Sequence, residues 1–106
     1  ATPSSADAVT QAGLCGTVAV VGLATPNAMK PYVEADCVKS VVLWNPVDLG
    51  YAATYVLRAA VDGTLAPGAT SVEAGRLGTL QVVNGSEILL GAPFIYTKEN
   101  IGGFDF

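Results

Sequence analysis

The chain has 106 residues, 51% of them hydrophobic and only 13% charged, with five basic residues against nine acidic ones for a net charge of -4. That balance suits one packed domain built around one core, and it excludes a disordered tail. With no basic run, the electrostatic attraction to phosphate that nucleic-acid binders depend on is missing.

No apolar run reaches the roughly 18 residues that span a bilayer. The amino terminus "ATPSSADAV" has neither the basic start nor the apolar middle of a signal peptide, so an exported form would already have lost its signal. "SSADAVTQAG", Ser4 to Gly13, reads as the last turns of a helix, with a serine cap and a glycine stop. "TVAVVGL", Thr17 to Leu23, is a β-branched run of the kind that forms a strand covered on both faces of a parallel sheet. After "ATPN", the segment "AMKPYVEA" predicts a short helix with Pro31 near its first turns. "VKSVVLW", Val38 to Trp44, predicts a second strand of the same kind.

"VDLGYAATYVLRAAVDGTL" then predicts a helix whose core face carries Leu49, Ala53, Val56, Leu57, Ala60 and Val61, with Gly63 as its stop. The order strand, helix, strand, helix implies right-handed crossovers and an α/β fold with a parallel sheet. The final third is cut up by glycines. "LGTLQVV" and "EILLG" around "NGS" read as a carboxyl-terminal hairpin. "APFIYTKENIGGFDF" closes the chain as a short apolar strand, a polar turn and an aromatic tail.

Cys15 and Cys37 each precede a predicted strand. If those strands are parallel neighbours, about 4.8 Å apart, the two cysteines fall within the Cα separation of roughly 4.4 to 6.8 Å that a disulfide tolerates. The alternative is a pair of buried thiols acting as small hydrophobes. A disulfide would point to an oxidising compartment.

The chain contains no histidine, which removes a Ser-His-Asp triad, a Cys-His pair and the usual histidine-containing zinc sites. Glu34 and Asp36 could act as paired carboxylates, but at the end of a short polar helix they read as solvated charge. "VVGLATP" lacks both the glycine spacing of a dinucleotide fingerprint and the ending of a P-loop, so no cofactor and no metal is expected, and the chain does not read as an enzyme.

Binding fits better. Ligands of open parallel α/β sheets sit beyond the carboxyl ends of the strands, and two such ends, "GLATPNAM" and "LWNPVDLG", each combine a stiffening proline with an asparagine that both donates and accepts. Trp44 adds a flat apolar face suited to the C–H surface of a sugar ring. Against this stands the plainer reading, in which Asn27 and Asn45 cap the following helices and Trp44 fills the core. With both turns beside the sole tryptophan, Thr25, Pro26, Asn27, Ala28, Trp44 and Asn45 form the candidate ligand-binding set.

"VVGLATPNAMKPYVEADCVKSVVLWNPVDLGY", "AGRLGTLQV" and "LLGAPFIYTKENIGGFDF" together resemble the carboxyl-terminal part of type I periplasmic sugar-binding proteins of ABC importers, in the group of rhamnose-binding and autoinducer-2-binding proteins. The asparagine after Trp44 and the "AGRLG" segment look more like the rhamnose binders, since the autoinducer-2 binders tend to carry an aspartate there. The resemblance implies a receptor whose two lobes close on a small sugar and deliver it to a membrane permease. It places the receptor in the periplasm or outside the cytoplasmic membrane, where it can be tethered as a lipoprotein. It matches Pro26 and Ala28 to pocket residues, while Trp44 and Asn45 are an extension from the strand-end geometry. Cys37, where a glycine would be expected, and the doubled glycine "IGGF" depart from the pattern.

Such receptors are much longer than this chain. Residues 1–106 therefore read as the carboxyl-terminal part of the second lobe, with the first lobe absent. The unpaired strand edges of such a piece favour self-association or pairing with the missing amino-terminal portion. Two other classes remain as alternatives: a self-associating α/β domain with no ligand, and the effector-binding half of a transcription regulator, which the acidic balance disfavours.

Overall fold

The computed structural model describes all 106 residues, which divide into two compact units. Unit 1 comprises Ala1–Leu43 and Pro93–Phe106, and unit 2 comprises Trp44–Ala92. Each has its own buried cluster, where the composition had suggested one core for the whole chain. Composition reports how much apolar surface exists, not how the chain shares it out.

In unit 1, α1 (Thr2–Gln11) and α2 (Pro26–Glu34) precede a strand β1 (Ser40–Leu43). Ala1 rather than a serine caps α1, and Pro3 lies in its first turn, where the missing N–H costs nothing. All three helices of the chain end in the same motif, in which a residue of positive φ lets the next N–H reach back five residues. Gly13 (φ 68°) does this for α1 and Gly63 (φ 74°) for α3, but at the end of α2 the position belongs to Asp36, at φ 59°. The Cys37 N–H then donates to the Tyr32 carbonyl at 2.9 Å. This is the turn in which the sequence had suggested a glycine at position 37; the positive φ falls one residue earlier.

The expected parallel sheet is not what pairs β1. Its partner is β5 (Phe94–Thr97), antiparallel, with Ser40 opposite Thr97 and Leu43 opposite Phe94. The run Thr17–Leu23 forms no strand and retains only isolated parallel bridges, Cys15 with Val18 and Leu23 with Val42. One backbone bond, from the Val42 N–H to the Gly22 carbonyl at 3.1 Å, joins it to β1. β-branched residues favour extended backbone only where neighbours cover them, and here Val21 and Leu23 are exposed. Gly22 has its own role. A Cβ there would lie 2.5 Å from the Thr2 hydroxyl, so glycine lets α1 approach this segment.

The unit 1 core is Ala6, Met29, Val33, Val38, Val41, Tyr96 and Ile101, all at most 1% exposed. Phe104 and Phe106 pack against it, Phe104 edge-on to Tyr96 with ring centres 4.8 Å apart. A disulfide joins Cys15 to Cys37, with Cα atoms 4.5 Å apart, and ties the turn after α1 to the end of α2.

Unit 2 opens with α3 (Pro46–Val61), followed by β2 (Ser71–Glu73), a 3-10 turn at Gly75–Leu77, β3 (Thr79–Val83) and β4 (Glu87–Ile88) in an antiparallel sheet of order β2-β3-β4. The expected hairpin is β3–β4, with Val83 opposite Glu87. Its turn puts Asn84 (φ 53°) and Gly85 (φ 72°) in succession in the left-handed region, which Asn-Gly tolerates well. The helix face toward the sheet is Ala52, Val56 and Ala59, packed with Val72, Ala74 and Leu80. Of the expected face only Val56 belongs to it; Leu57 and Val61 are 67% and 81% exposed. Because α3 is apolar on more than one side, its 3.6-residue spacing accommodates two stripes, and the sheet selects one.

The disulfide closes a sequence separation of 22 residues. Replacing both Cys15 and Cys37 by alanine is expected to lower the unfolding free energy by about 3 kcal/mol, the loop-entropy scale for a crosslink of that span. Urea unfolding followed by circular dichroism checks this, and an unchanged midpoint contradicts it.

Candidate functional site

The candidate residues fall into two sets. Thr25, Pro26, Asn27 and Ala28 lie in unit 1 at the start of α2, and Trp44 and Asn45 open unit 2. In the first set Thr25 is the N-cap, with extended backbone (φ -70°, ψ 148°) and no capping bond from its side chain. The hydroxyl is therefore on the surface without a helical duty. Pro26 is among the fully buried side chains, and its ring sets the helical φ of the first turn from inside the core.

Asn27 does not cap the helix. Its amide nitrogen donates to the Asp105 carboxylate at 3.0 Å, and its backbone N–H donates to the Phe106 carbonyl, also at 3.0 Å. Three residues further along, the Lys30 ammonium donates to the Phe104 carbonyl. The aromatic tail thus lies across the beginning of α2, and its main-chain oxygens satisfy donors there. Sequence reasoning missed Lys30 and Asp105. The quoted "FDF" ending was the only trace of them, and a pairing across 78 residues leaves no periodic signal.

In the second set Asn45 is a true cap, its side-chain oxygen accepting the Val47 N–H at 2.9 Å. The Trp44 indole N–H donates to the Gly91 carbonyl at 2.7 Å, and 38% of the residue remains exposed. Trp44 borders a hollow of about 390 Å³ with Leu49, Ile88, Leu89, Leu90 and Gly91. An adjoining cavity of about 160 Å³ shares Leu49, Ile88 and Leu90. No amide or charged side chain lines either one, so these hollows receive apolar groups better than a ring of hydroxyls.

Two of the quoted motifs meet within unit 2. Asp48 of "LWNPVDLGY" pairs with Arg76 of "AGRLG" at 2.5 Å, and the Arg76 guanidinium lies 4.5 Å from the centre of the Tyr51 ring. The Tyr51 and Tyr55 hydroxyls are 3.2 Å apart, and the Arg76 backbone N–H donates to Tyr51 at 3.3 Å. When Tyr51 ionises, the Tyr55 hydroxyl and then the Arg76 N–H bond to its oxygen, which holds this phenol below its usual value. The same hydrogen bond, and then the Tyr51 charge, push Tyr55 up.

Asp36, weighed above with Glu34 as a carboxylate pair, is bonded instead to Lys98 at 2.5 Å. The hydrogen bond from Lys98 holds its carboxyl below the ordinary value, against slight desolvation. This is an exposed ion pair, not acid–base machinery. The structure shows no group of three or more His, Cys, Asp or Glu side chains placed to hold a metal ion.

With this geometry in view, comparison with known proteins places the chain. Residues 1–65 match the family model described as periplasmic binding protein domain, and the chain belongs to that family. Three solved structures share its fold, that of the type I periplasmic binding proteins. A sugar ABC transporter protein from Actinomyces odontolyticus matches 99% of this chain and 34% of its own, at 30% identity and a TM-score of 0.81. LsrB from Clostridium saccharobutylicum, in complex with AI-2, matches 99% of this chain and 37% of its own, at 26% identity and a TM-score of 0.77. An ABC transporter solute binding protein from Clostridium phytofermentas, with bound L-rhamnose, matches 96% of this chain and 36% of its own, at 30% identity and a TM-score of 0.78. The chain thus spans about a third of the length of these structures.

Two outcomes follow from the local chemistry. Asn45→Ala is expected to cost about 1 kcal/mol through the lost cap, seen as a lower urea midpoint; an unchanged midpoint contradicts the capping role. Lys98→Gln is expected to return the Asp36 carboxyl to its ordinary value in a carbon-detected NMR titration. Because the folded-state value is the lower one, the pair's contribution is complete above the ordinary carboxyl range and is lost as pH falls through the depressed value. An Asp36 titration that ignores the substitution contradicts the pairing.

Proposed function

We propose that this chain is the carboxyl-terminal part of a two-lobed solute receptor serving an ABC importer, with L-rhamnose or a related deoxysugar as its ligand. The observation that carries this is the match, over 96% of the chain at 30% identity, to a solute binding protein that holds L-rhamnose. The turn at Thr25–Ala28 is the sugar contact. An exposed hydroxyl and an exposed amide stand at the start of α2, groups that both donate to and accept from ring hydroxyls. Asn27 keeps its side-chain oxygen as an acceptor while its nitrogen holds Asp105.

The Cys15–Cys37 disulfide supports a location outside the reducing cytoplasm. No helix of the chain is long and apolar enough to cross a membrane. In the proposed role this protein binds and delivers the solute, and a permease partner carries it across the membrane. A second reading, in which the ligand is AI-2, is favoured by the likeness to LsrB at 26% identity. The asparagine after Trp44 weighs toward the sugar.

Isothermal titration of the receptor containing this chain decides between the two. Saturable heat with L-rhamnose, weakened about tenfold or more when the Thr25 hydroxyl is removed in Thr25→Val, is the expected result. Heat with AI-2 but none with L-rhamnose would replace the sugar reading by the second one, and no heat with either would reject both.

A further inference from the structure

We propose that Asp105 is a positioning residue for the sugar-contacting turn, holding Asn27 and the start of α2 in place from the far end of the chain. The inference rests on the reading of Thr25–Ala28 as ligand contact, and deepens it. The tail makes three hydrogen bonds with the first five residues of α2: Asn27 Nδ2 to the Asp105 carboxylate, the Asn27 N–H to the Phe106 carbonyl, and the Lys30 ammonium to the Phe104 carbonyl. Phe104 and Phe106 on either side of Asp105 are packed against the buried cluster that also contains Met29 of α2. Asp105 is therefore anchored on both flanks, and its own side chain is exposed, aimed at Asn27.

This arrangement has a chemical consequence for Asn27. A terminal amide on the surface rotates freely and presents its oxygen and nitrogen interchangeably, whereas a carboxylate can only accept. Bonding to Asp105 fixes which end of the Asn27 amide is nitrogen and points it at the tail. Its oxygen and second N–H are left in one orientation for a ligand. The carboxylate also sits at the positive end of the α2 dipole, where negative charge is favoured. An asparagine held this way meets a sugar hydroxyl without first losing rotamer freedom, the general advantage of preorganisation.

The test uses four variants and two readouts. Asp105→Ala removes the acceptor, while Asp105→Asn keeps an acceptor oxygen. Asn27→Asp sets two carboxylates against each other, and the double swap Asn27→Asp with Asp105→Asn rebuilds the bond with donor and acceptor exchanged. Amide hydrogen exchange at Asn27, whose N–H is held by the Phe106 carbonyl, needs no ligand and is expected to speed up by about fivefold in Asp105→Ala and in Asn27→Asp, the scale of one exposed hydrogen bond. It is expected to stay near the wild-type rate in Asp105→Asn and in the double swap. Titration of the receptor with L-rhamnose is expected to show a similar loss of affinity for Asp105→Ala and little for Asp105→Asn.

Unchanged exchange in the two disruptive variants, or a double swap that fails to restore it, overturns the proposal. So does a faster exchange in Asp105→Ala with sugar affinity unaltered. If wild-type receptor takes up neither L-rhamnose nor AI-2, the reading of the turn as ligand contact fails, and the exchange experiment alone still decides whether Asp105 holds Asn27.

Discussion

Unit 1 depends on the return of the chain's last stretch to its beginning. β1 is four residues long, and its antiparallel partner is β5, more than fifty positions further on. A two-stranded ribbon is marginal by itself. Here it is sustained because Tyr96 of β5 and Ile101 beyond it, 1% and 0% exposed, complete the cluster that Met29, Val33 and Val41 begin. Burial of side chains of that size contributes about 1.5 to 3 kcal/mol each. The loop-closure entropy for so distant a pairing grows only slowly with length, so burial outweighs it.

The same return serves the proposed site. α2 begins where the tail ends, and the tail's carbonyls and one carboxylate take up donors on Asn27 and Lys30. The elements are ordered so that the core comes first, then the buried ring of Pro26 that directs the helix, then the exposed hydroxyl of Thr25 and amide of Asn27. The proposed binding surface thus rests on packing directly beneath it. Within unit 2 a comparable role falls to Arg76, which joins the 3-10 turn to Asp48 and Tyr51 of α3 through charge, ring face and backbone N–H together.

Much of this was legible in the sequence, and the boundary has a physical cause. Local signals read well: the Gly-stopped helix that follows Pro46, the Asn-Gly turn at 84–85, the short strand "FIYT". These depend on residues a few positions apart. The partner of β1 could not be read this way, because the valine run at 17–23 has the composition of a buried parallel strand and only the distant β5 shows that the place is taken. For the same reason Asn45 read as cap or ligand, and the structure gives it a cap's bond, whereas Asn27, open to the same two readings, is bonded to a residue that no spacing rule would connect to it. The family resemblance, resting on motifs spread along the whole chain, reached further than periodicity did.

The pairing of β1 is therefore the place to test the account. Cross-strand nuclear Overhauser contacts in the isotope-labelled chain report it directly, since facing α-protons come close in alternate residue pairs of an antiparallel ladder and not in a parallel one. Such contacts are expected between Ser40–Leu43 and Phe94–Thr97 in the register that sets Val41 opposite Tyr96. A continuous parallel ladder between Thr17–Leu23 and Ser40–Leu43, with Phe94–Thr97 making no contact to β1, would contradict it.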